Sequence, residues 1–265
     1  MNVEVLISTM NRNEIDLVKK MNIQSDALII NQANQSLPEM SIERGNQVVR
    51  MLTFSDKGLS KSRNRAIINA KGDICIIADD DVTYVDHYHE LIMNTYKENP
   101  DYDIIVFKVP TTNKDRQKEY YTKKTKLGYL KSLKVASYEI TFRRKSIIDK
   151  NIFFNENFGA GSGKYSMGEE NIFLYECLKK GLKILYLPYE IGTVTHEEST
   201  WFSGLNEKYF FDRGANYYAM TPMFSLLLIL QHALRKYSLY KDNLSLTKAL
   251  KLMFEGKKQY RKESK

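Results

Sequence analysis

Apolar residues along this chain fall into short runs ended by polar clusters, and that alternation predicts an α/β protein. Val3–Ile7, Ala27–Ile30, Val48–Phe54, Ile74–Ala78, Asp103–Val109 and Ile184–Leu187 are mostly apolar stretches of four to seven residues, the pattern of strands covered on both faces. Ser137–Arg143 alternates instead, with Tyr138, Ile140 and Phe142 on one side, which is strand period. Helical spacing fills the gaps. Glu14–Met21 is one such segment. Another opens near Ser60 and carries Ala66, Ile67, Ile68 and Ala70. A third, Asp86–Lys97, places Tyr88, Leu91, Ile92 and Tyr96 on one side, with Pro100 as its stop. A fourth opens at Gly168-Glu169-Glu170 and carries Ile172, Phe173, Tyr175 and Leu178 to Gly181. The repeated order strand–helix–strand predicts a Rossmann-like, mainly parallel central sheet flanked by helices. Tyr209–Leu234 predicts two further helices. Thr111–Val135, rich in Lys and Tyr, reads as partly helical: an insertion over a site, or a solvated charged helix.

Length and charge sharpen this outline. With 265 residues, one large α/β domain with a C-terminal helical extension is the economical division. The expected boundaries are 1–205 for the domain, with a ligand-binding half 1–110 and a second half 111–205, and 206–265 for the extension. The net charge is +8, and His232–Lys265 holds ten Lys and Arg against three acids. This tail therefore carries nearly all of the excess. Leu244, Leu246, Leu250, Leu252, Met253 and Phe254 sit among its cations. Such a segment reads either as a membrane-surface helix or as a helix packing its apolar side on the domain. A stretch spanning a bilayer needs about 18 apolar residues, and Met223–Leu230 is too short. Cys75 and Cys177 fall in a strand and a helix and read as buried thiols. With an N-terminus that begins as a strand, they suggest a cytoplasmic protein, with the inner face of the plasma membrane open as a location.

The chemistry concentrates between Gly58 and Tyr84. Gly58 is a turn residue, and Ser60 is placed to cap the helix that follows. Ile74–Ala78 then runs into Asp79-Asp80-Asp81. Adjacent carboxylates repel unless a cation or donors offset them, and oxygen ligation of this kind suits Mg²⁺ or Mn²⁺ with substrate phosphates completing the shell. Taken alone, three acids are equally an acidic turn. Glu169 and Glu170 likewise fit a helix N-terminus without further purpose. Asn157–Gly163 is glycine-rich but lacks the first glycine and the preceding strand of a phosphate loop, so it reads as a flexible loop.

Together, Gly58, Ser60, Arg63 and Asn64, the Asp79-to-Asp81 cluster and the downstream Gly168-Glu169-Glu170 resemble the family-two glycosyltransferases with the GT-A fold. The resemblance covers residues 1–200. It implies an inverting transfer of a sugar from a nucleotide-diphosphate donor, a UDP-sugar being favoured, to an acceptor hydroxyl on a glycan or lipid-linked sugar, in bacterial cell-surface polysaccharide synthesis. It also implies roles. Glu170 would be the catalytic base, with Glu169 as fallback. Asp81 and His196 would hold Mn²⁺ or Mg²⁺, and Trp201 would stack on the acceptor. Thr9, Asn11, Arg12, Asn31, Gly58, Ser60, Arg63, Asp79 and Asp80 would bind the donor, Arg63 at its diphosphate or base. Asn31 stands where the family often has an Asp that reads the base. Two alternatives stay open. A sugar-nucleotide nucleotidyltransferase is disfavoured by the absence of Gly from Ser8–Asp16. A basic nucleic-acid-binding protein would leave the carboxylates unused, so no nucleic-acid partner is favoured.

Overall fold

The computed structural model describes residues 1–12, 15–113, 117–195 and 204–264. Its centre is a nine-stranded sheet of β1 (Val3–Met10), β2 (Asp26–Gln32), β3 (Leu37–Arg44), β4 (Gln47–Phe54), β5 (Ile74–Asp79), β7 (Ile104–Lys108), β8 (Thr125–Leu127), β9 (Ile140–Arg143) and β10 (Ile184–Glu190), in the order β3-β4-β2-β1-β5-β9-β7-β10-β8. β4, β2, β1, β5, β7 and β10 run one way and β3, β9 and β8 run against them. A separate two-stranded ribbon pairs β6 (Val82–Tyr84) with β11 (Gly192–Val194).

Alternation along the strands divides the core into two layers. Val5 and Ile7 of β1, Ile76 of β5 and Phe107 of β7 face α3 (Tyr88–Glu98) and the short α1 (Leu17–Lys20). Leu6, Cys75, Ile77 and Phe142 face α2 (Leu59–Asn69), α5 (Arg144–Asp149) and α6 (Glu169–Lys179). Both cysteines are free buried thiols, as expected, and burial raises both well above the ordinary thiol value.

At the amino ends of the strands, Glu4 is buried against Arg50 at 2.8 Å and accepts from the backbone of Lys71 and Gly72 at 2.5 and 2.8 Å. This network closes the turn between α2 and β5 at the end of the sheet away from the acidic cluster. Beyond the ribbon lie α7 (Glu207–Met220), α8 (Ser225–Arg235), α9 (Tyr237–Tyr240) and α10 (Leu246–Glu263). Asn206 and Ser245 cap α7 and α10 by accepting from Tyr209 N and Lys248 N. The helices share a third core built on Phe210, Ile229, Tyr240 and Met253.

Several expectations change. The β3–β4 hairpin was not legible, because β3 is exposed almost throughout and pairs only with β4. Thr111–Val135 is largely irregular where described, with only β8 and the one-turn α4 (Tyr129–Ser132). Only Ile140–Arg143 of the alternating segment is strand; Ser137–Glu139 forms a 3₁₀ turn. β10 continues past Pro188, where its pairing with β7 shifts register; a residue without an N–H is accommodated at such an irregularity. Ser60 does not cap α2. Gly58 stands at the cap, and Ser60 Oγ donates instead to the Phe158 carbonyl at 2.6 Å. Most of the apolar side of α10 packs: Leu252 and Met253 are buried, and Leu246, Leu250 and the preceding Leu244 pack against the same core. These contacts accord with the packing reading of that helix, while Phe254 stays exposed.

Candidate active site

The carboxyl ends of β1, β2, β4 and β5 lie side by side, in register at Thr9–Asn31, Ser8–Asp79 and Asn31–Thr53. Ligands of open α/β sheets bind at this edge. The loop after β1 begins at Asn11, which adopts a left-handed backbone (φ 53°). A non-glycine residue in that region is uncommon outside turns and binding sites. The side chain of Asn31 holds this loop. Its Oδ1 accepts from Arg12 N at 3.0 Å, and its Nδ2 donates to Arg12 O at 2.8 Å and to Thr53 Oγ1 at 3.3 Å. Asn31 is completely buried, so it shapes the loop from behind and presents no group to a base, contrary to the sequence expectation.

The three acids at the end of β5 are held differently. Asp80 Oδ2 accepts from Thr9 Oγ1 at 2.5 Å and lies 3.5 Å from Arg12 Nη2. Asp79 Oδ1 accepts from Arg63 Nη2 at 2.9 Å. Asp81 leads into β6, and its carbonyl accepts from Thr195 N at 3.3 Å across the ribbon. Among the described residues, no three or more His, Cys, Asp or Glu side chains converge as a metal-holding group. His196 and Trp201, expected to hold a metal and to stack on the acceptor, lie outside the described residues.

Arg63 is the hub of the site and is almost wholly buried, with 1% of its surface exposed. Besides Asp79, its Nη2 reaches Ser137 Oγ at 2.8 Å, and its Nη1 donates to Glu169 Oε1 at 2.7 Å. Burial alone would lower this guanidinium's pKa, but Asp79 and Glu169 outweigh it and the net direction is up. The fork is therefore spent on two carboxylates. Arg63 thus lies beneath the site surface and holds both acids, where the resemblance placed it at the diphosphate or base.

The glycine-rich segment packs on the N-terminus of α2. The Ala160 carbonyl accepts from Leu59 N at 2.9 Å, and the Gly58 N–H donates to Gln32 Oε1 at 2.7 Å. Asn64 extends the same contact, exchanging hydrogen bonds with the Phe154 backbone at 2.7 and 3.0 Å. Within the loop, the N–H groups of Gly159, Ser162 and Tyr165 donate to the carbonyls of Tyr165, Gly159 and Asn157, so these donors are not turned to a phosphate.

α6 opens at Gly168, whose φ of +86° favours glycine and whose missing Cβ makes room for the side chain of Asn216. Asn216 Nδ2 donates to the Gly168 carbonyl at 2.8 Å. Glu169 is committed to Arg63, whereas Glu170 stays half-buried. Burial, then the neighbouring Glu169 charge, push the Glu170 carboxyl up to about 8, and Arg213 and Arg63 oppose the rise. Arg213 comes from α7. Its guanidinium lies over the rings of Tyr209 and Tyr217 at 5.4 and 5.9 Å, and their hydroxyls in turn hold the two ring nitrogens of buried His232 at 3.2 and 2.8 Å.

Two residues in this arrangement were missed in the sequence. Tyr138 is half-buried near the site: burial raises its hydroxyl's pKa, and the charges of Glu139, Asp79, Asp81 and Glu170 add to the rise. It also lines a cavity of about 240 Å³ with Lys108, Lys118 and Tyr120. Its only signal was a place in an alternating strand. Arg213 lay in what reads as an appendage, although its i−4 and i+4 tyrosines were visible as a helical stripe.

Residues 33–167 match the model of a family described as Glycosyl transferase family 2. The match includes Gly58, Arg63 and the three acids and ends just before Gly168. A search of curated proteins finds no match. Among solved structures, the chain is similar to S. aureus TarS 1-349 in complex with UDP-GlcNAc, at 13% identity and TM-score 0.62, covering 99% of this chain and 92% of that one. The complex of the same fragment with UDP gives 14% identity and TM-score 0.59 over the same shares. A longer S. aureus TarS structure gives 14% identity and TM-score 0.58; there the match covers 82% of this chain but only 39% of the TarS chain. At these identities the likeness is one of fold, GT-A-like in both.

Proposed function

The chain belongs to glycosyl transferase family 2, and we propose that it moves a sugar from a nucleotide-diphosphate donor to an acceptor hydroxyl with inversion at the anomeric carbon. One observation carries this reading: Arg63 bonds both Asp79 at the end of β5 and Glu169 at the start of α6, which sets Glu170, a half-buried carboxyl of raised basicity, at the same site as the strand-end acids. A base works best when its pKa lies near the working pH. In the reaction the acceptor oxygen attacks the anomeric carbon as its proton passes to Glu170. The bond from that carbon to the diphosphate oxygen breaks, and its electron pair leaves with the nucleoside diphosphate.

The donor would lie over the carboxyl ends of β1, β2 and β5, against Thr9, Asn11, Arg12, Gly58, Asp79 and Asp80. Asn31, Ser60 and Arg63 hold that surface from beneath. The UDP-GlcNAc complex of TarS supports a UDP-sugar donor. The hard carboxylate oxygens of the cluster fit Mn²⁺ or Mg²⁺ by donor chemistry. Asp81 and His196 would hold the ion, and Thr195, bonded to the Asp81 carbonyl, immediately precedes His196. When bound, the ion neutralises charge on the leaving diphosphate. A glycan or lipid-linked sugar is the acceptor in this reading, Trp201 its stacking residue, and cell-surface polysaccharide its product.

A thermal-shift panel of UDP, GDP, CDP and TDP, each with and without Mn²⁺, tests the proposal, because a ligand of the folded state raises stability by mass action. A shift with UDP that depends on Mn²⁺ and is absent in Asp81→Ala supports it. No shift with any nucleotide overturns it.

A further inference from the structure

α8 is apolar on two opposite sides. Its inner side, Leu228, Ile229, His232 and Ala233, is buried against the C-terminal core. Its outer side continues the run with Leu226, Leu227, Leu230 and Leu234, preceded by Met223 and Phe224. All six are exposed, Met223 at 81% and Leu227 and Leu234 at 62% each. Leu227, Leu230 and Leu234 follow i, i+3, i+7 and share one stripe of α8, with Met223 exposed in the turn just before it. Leu239 of the following α9 is exposed as well. A helix apolar all round belongs in a buried setting, and a clustered exposed apolar surface marks an interaction site.

Charge identifies the occupant. No acid occurs between Asp212 and Asp242, while Arg235, Lys236 and Lys241 follow the stripe directly. The segment from His232 onward carries +7 of the net charge. A second copy docking here through a two-fold contact would set two such segments against each other, and like charges at an interface oppose association. An anionic lipid surface attracts the same segment. The length agrees: no helix is long and apolar enough to cross a membrane among the described residues, and an eleven-residue helix with leucines outward and cations at its end suits lying in the interface plane.

We propose that the outer face of α8 docks the protein on an anionic bilayer, with Met223, Leu227, Leu230 and Leu234 entering the acyl boundary and Arg235, Lys236 and Lys241 meeting the headgroups. The surface is independent of the donor site, so its test needs no activity. The full chain is floated with phosphatidylcholine vesicles, with and without phosphatidylglycerol. The expected result is flotation only with the anionic vesicles, lost in Leu227→Glu/Leu230→Glu and weakened at least ~10-fold in Arg235→Glu/Lys236→Glu. The variants change exposed side chains and the half-buried Lys236, and an unchanged melting temperature shows that they fold. Three results each overturn the proposal: the native chain stays behind with anionic vesicles, the leucine variant floats as well as the native chain, or light scattering shows a dimer that the leucine variant splits.

Discussion

Arg63 reaches 106 residues along the chain to donate to Glu169 at 2.7 Å. With its second nitrogen on Asp79, it clamps the end of β5 to the start of α6. This one guanidinium fixes the spacing between the strand-end acids and the helix that carries Glu170. Replacing it with methionine leaves two carboxylates facing each other without a cation. Breaking a buried pair from one side typically costs ~3–5 kcal/mol. Urea unfolding of Arg63→Met should show a loss of that order, and Arg63→Lys, which keeps the charge but cannot bridge both acids, should fall between.

Glu170→Gln keeps shape and removes the base. A general base contributes about 10²- to 10⁴-fold, so turnover should fall by that range while UDP still raises the melting temperature. Transfer at the native rate would falsify the assignment.

The same carboxyl sets a pH dependence. With Glu170 raised to about 8, kcat/KM should climb from pH 7 to 9 as the base form fills. The sign for stability is opposite. A carboxyl that titrates higher folded than unfolded binds more protons in the native state between the two values, so stability falls as pH rises across that window. Denaturation midpoints of native protein and Glu170→Gln, compared from pH 5 to 9, should diverge in that direction.

Asn31→Asp tests the loop clamp. An ionised carboxylate cannot donate to the Arg12 carbonyl, which would then face a negative oxygen. A buried group left unsatisfied costs about 1–3 kcal/mol. The variant should lose stability of that order and weaken UDP binding through a displaced Arg12, read by thermal shift with and without nucleotide.

Gly214 and Gly256 bring α7 and α10 together backbone against backbone: a Cβ on Gly214 would meet the Met253 carbonyl, and one on Gly256 the Phe211 carbonyl. Overpacking a close contact costs ~1–3 kcal/mol. Gly214→Ala and Gly256→Ala should each lower the melting temperature, although alanine is the better helix former.

The parts of the fold that were legible are those buried on both faces. Ile74–Ala78 declares itself because nothing polar is tolerated there, and the acids after it declare the sheet's ligand edge. β3 hid because an exposed edge strand needs no apolar pattern. The site was legible as residue types but not as partners. Gly58, Arg63 and Asp79 stood out in the sequence, yet nothing local says that Arg63 turns away from solvent toward Glu169, or that Asn31 faces a backbone loop. Arg213 was out of reach for the same reason: its relation to Glu170 exists only once α7 has packed on α6.

β9 enters the sheet between β5 and β7, two strands that both precede it in the chain. In the folded sheet these two do not pair with each other, and the slot between them is filled only by residues 140–143. β7 also awaits β10, and Arg63 awaits Glu169. A nascent chain therefore holds its acidic cluster beside an open sheet edge until most of the domain has emerged. Pairings so distant in sequence fold slowly, so the meeting of the β5 acids with α6 comes among the last events of folding, and a prematurely terminated chain would carry the carboxylates of β5 without Glu170.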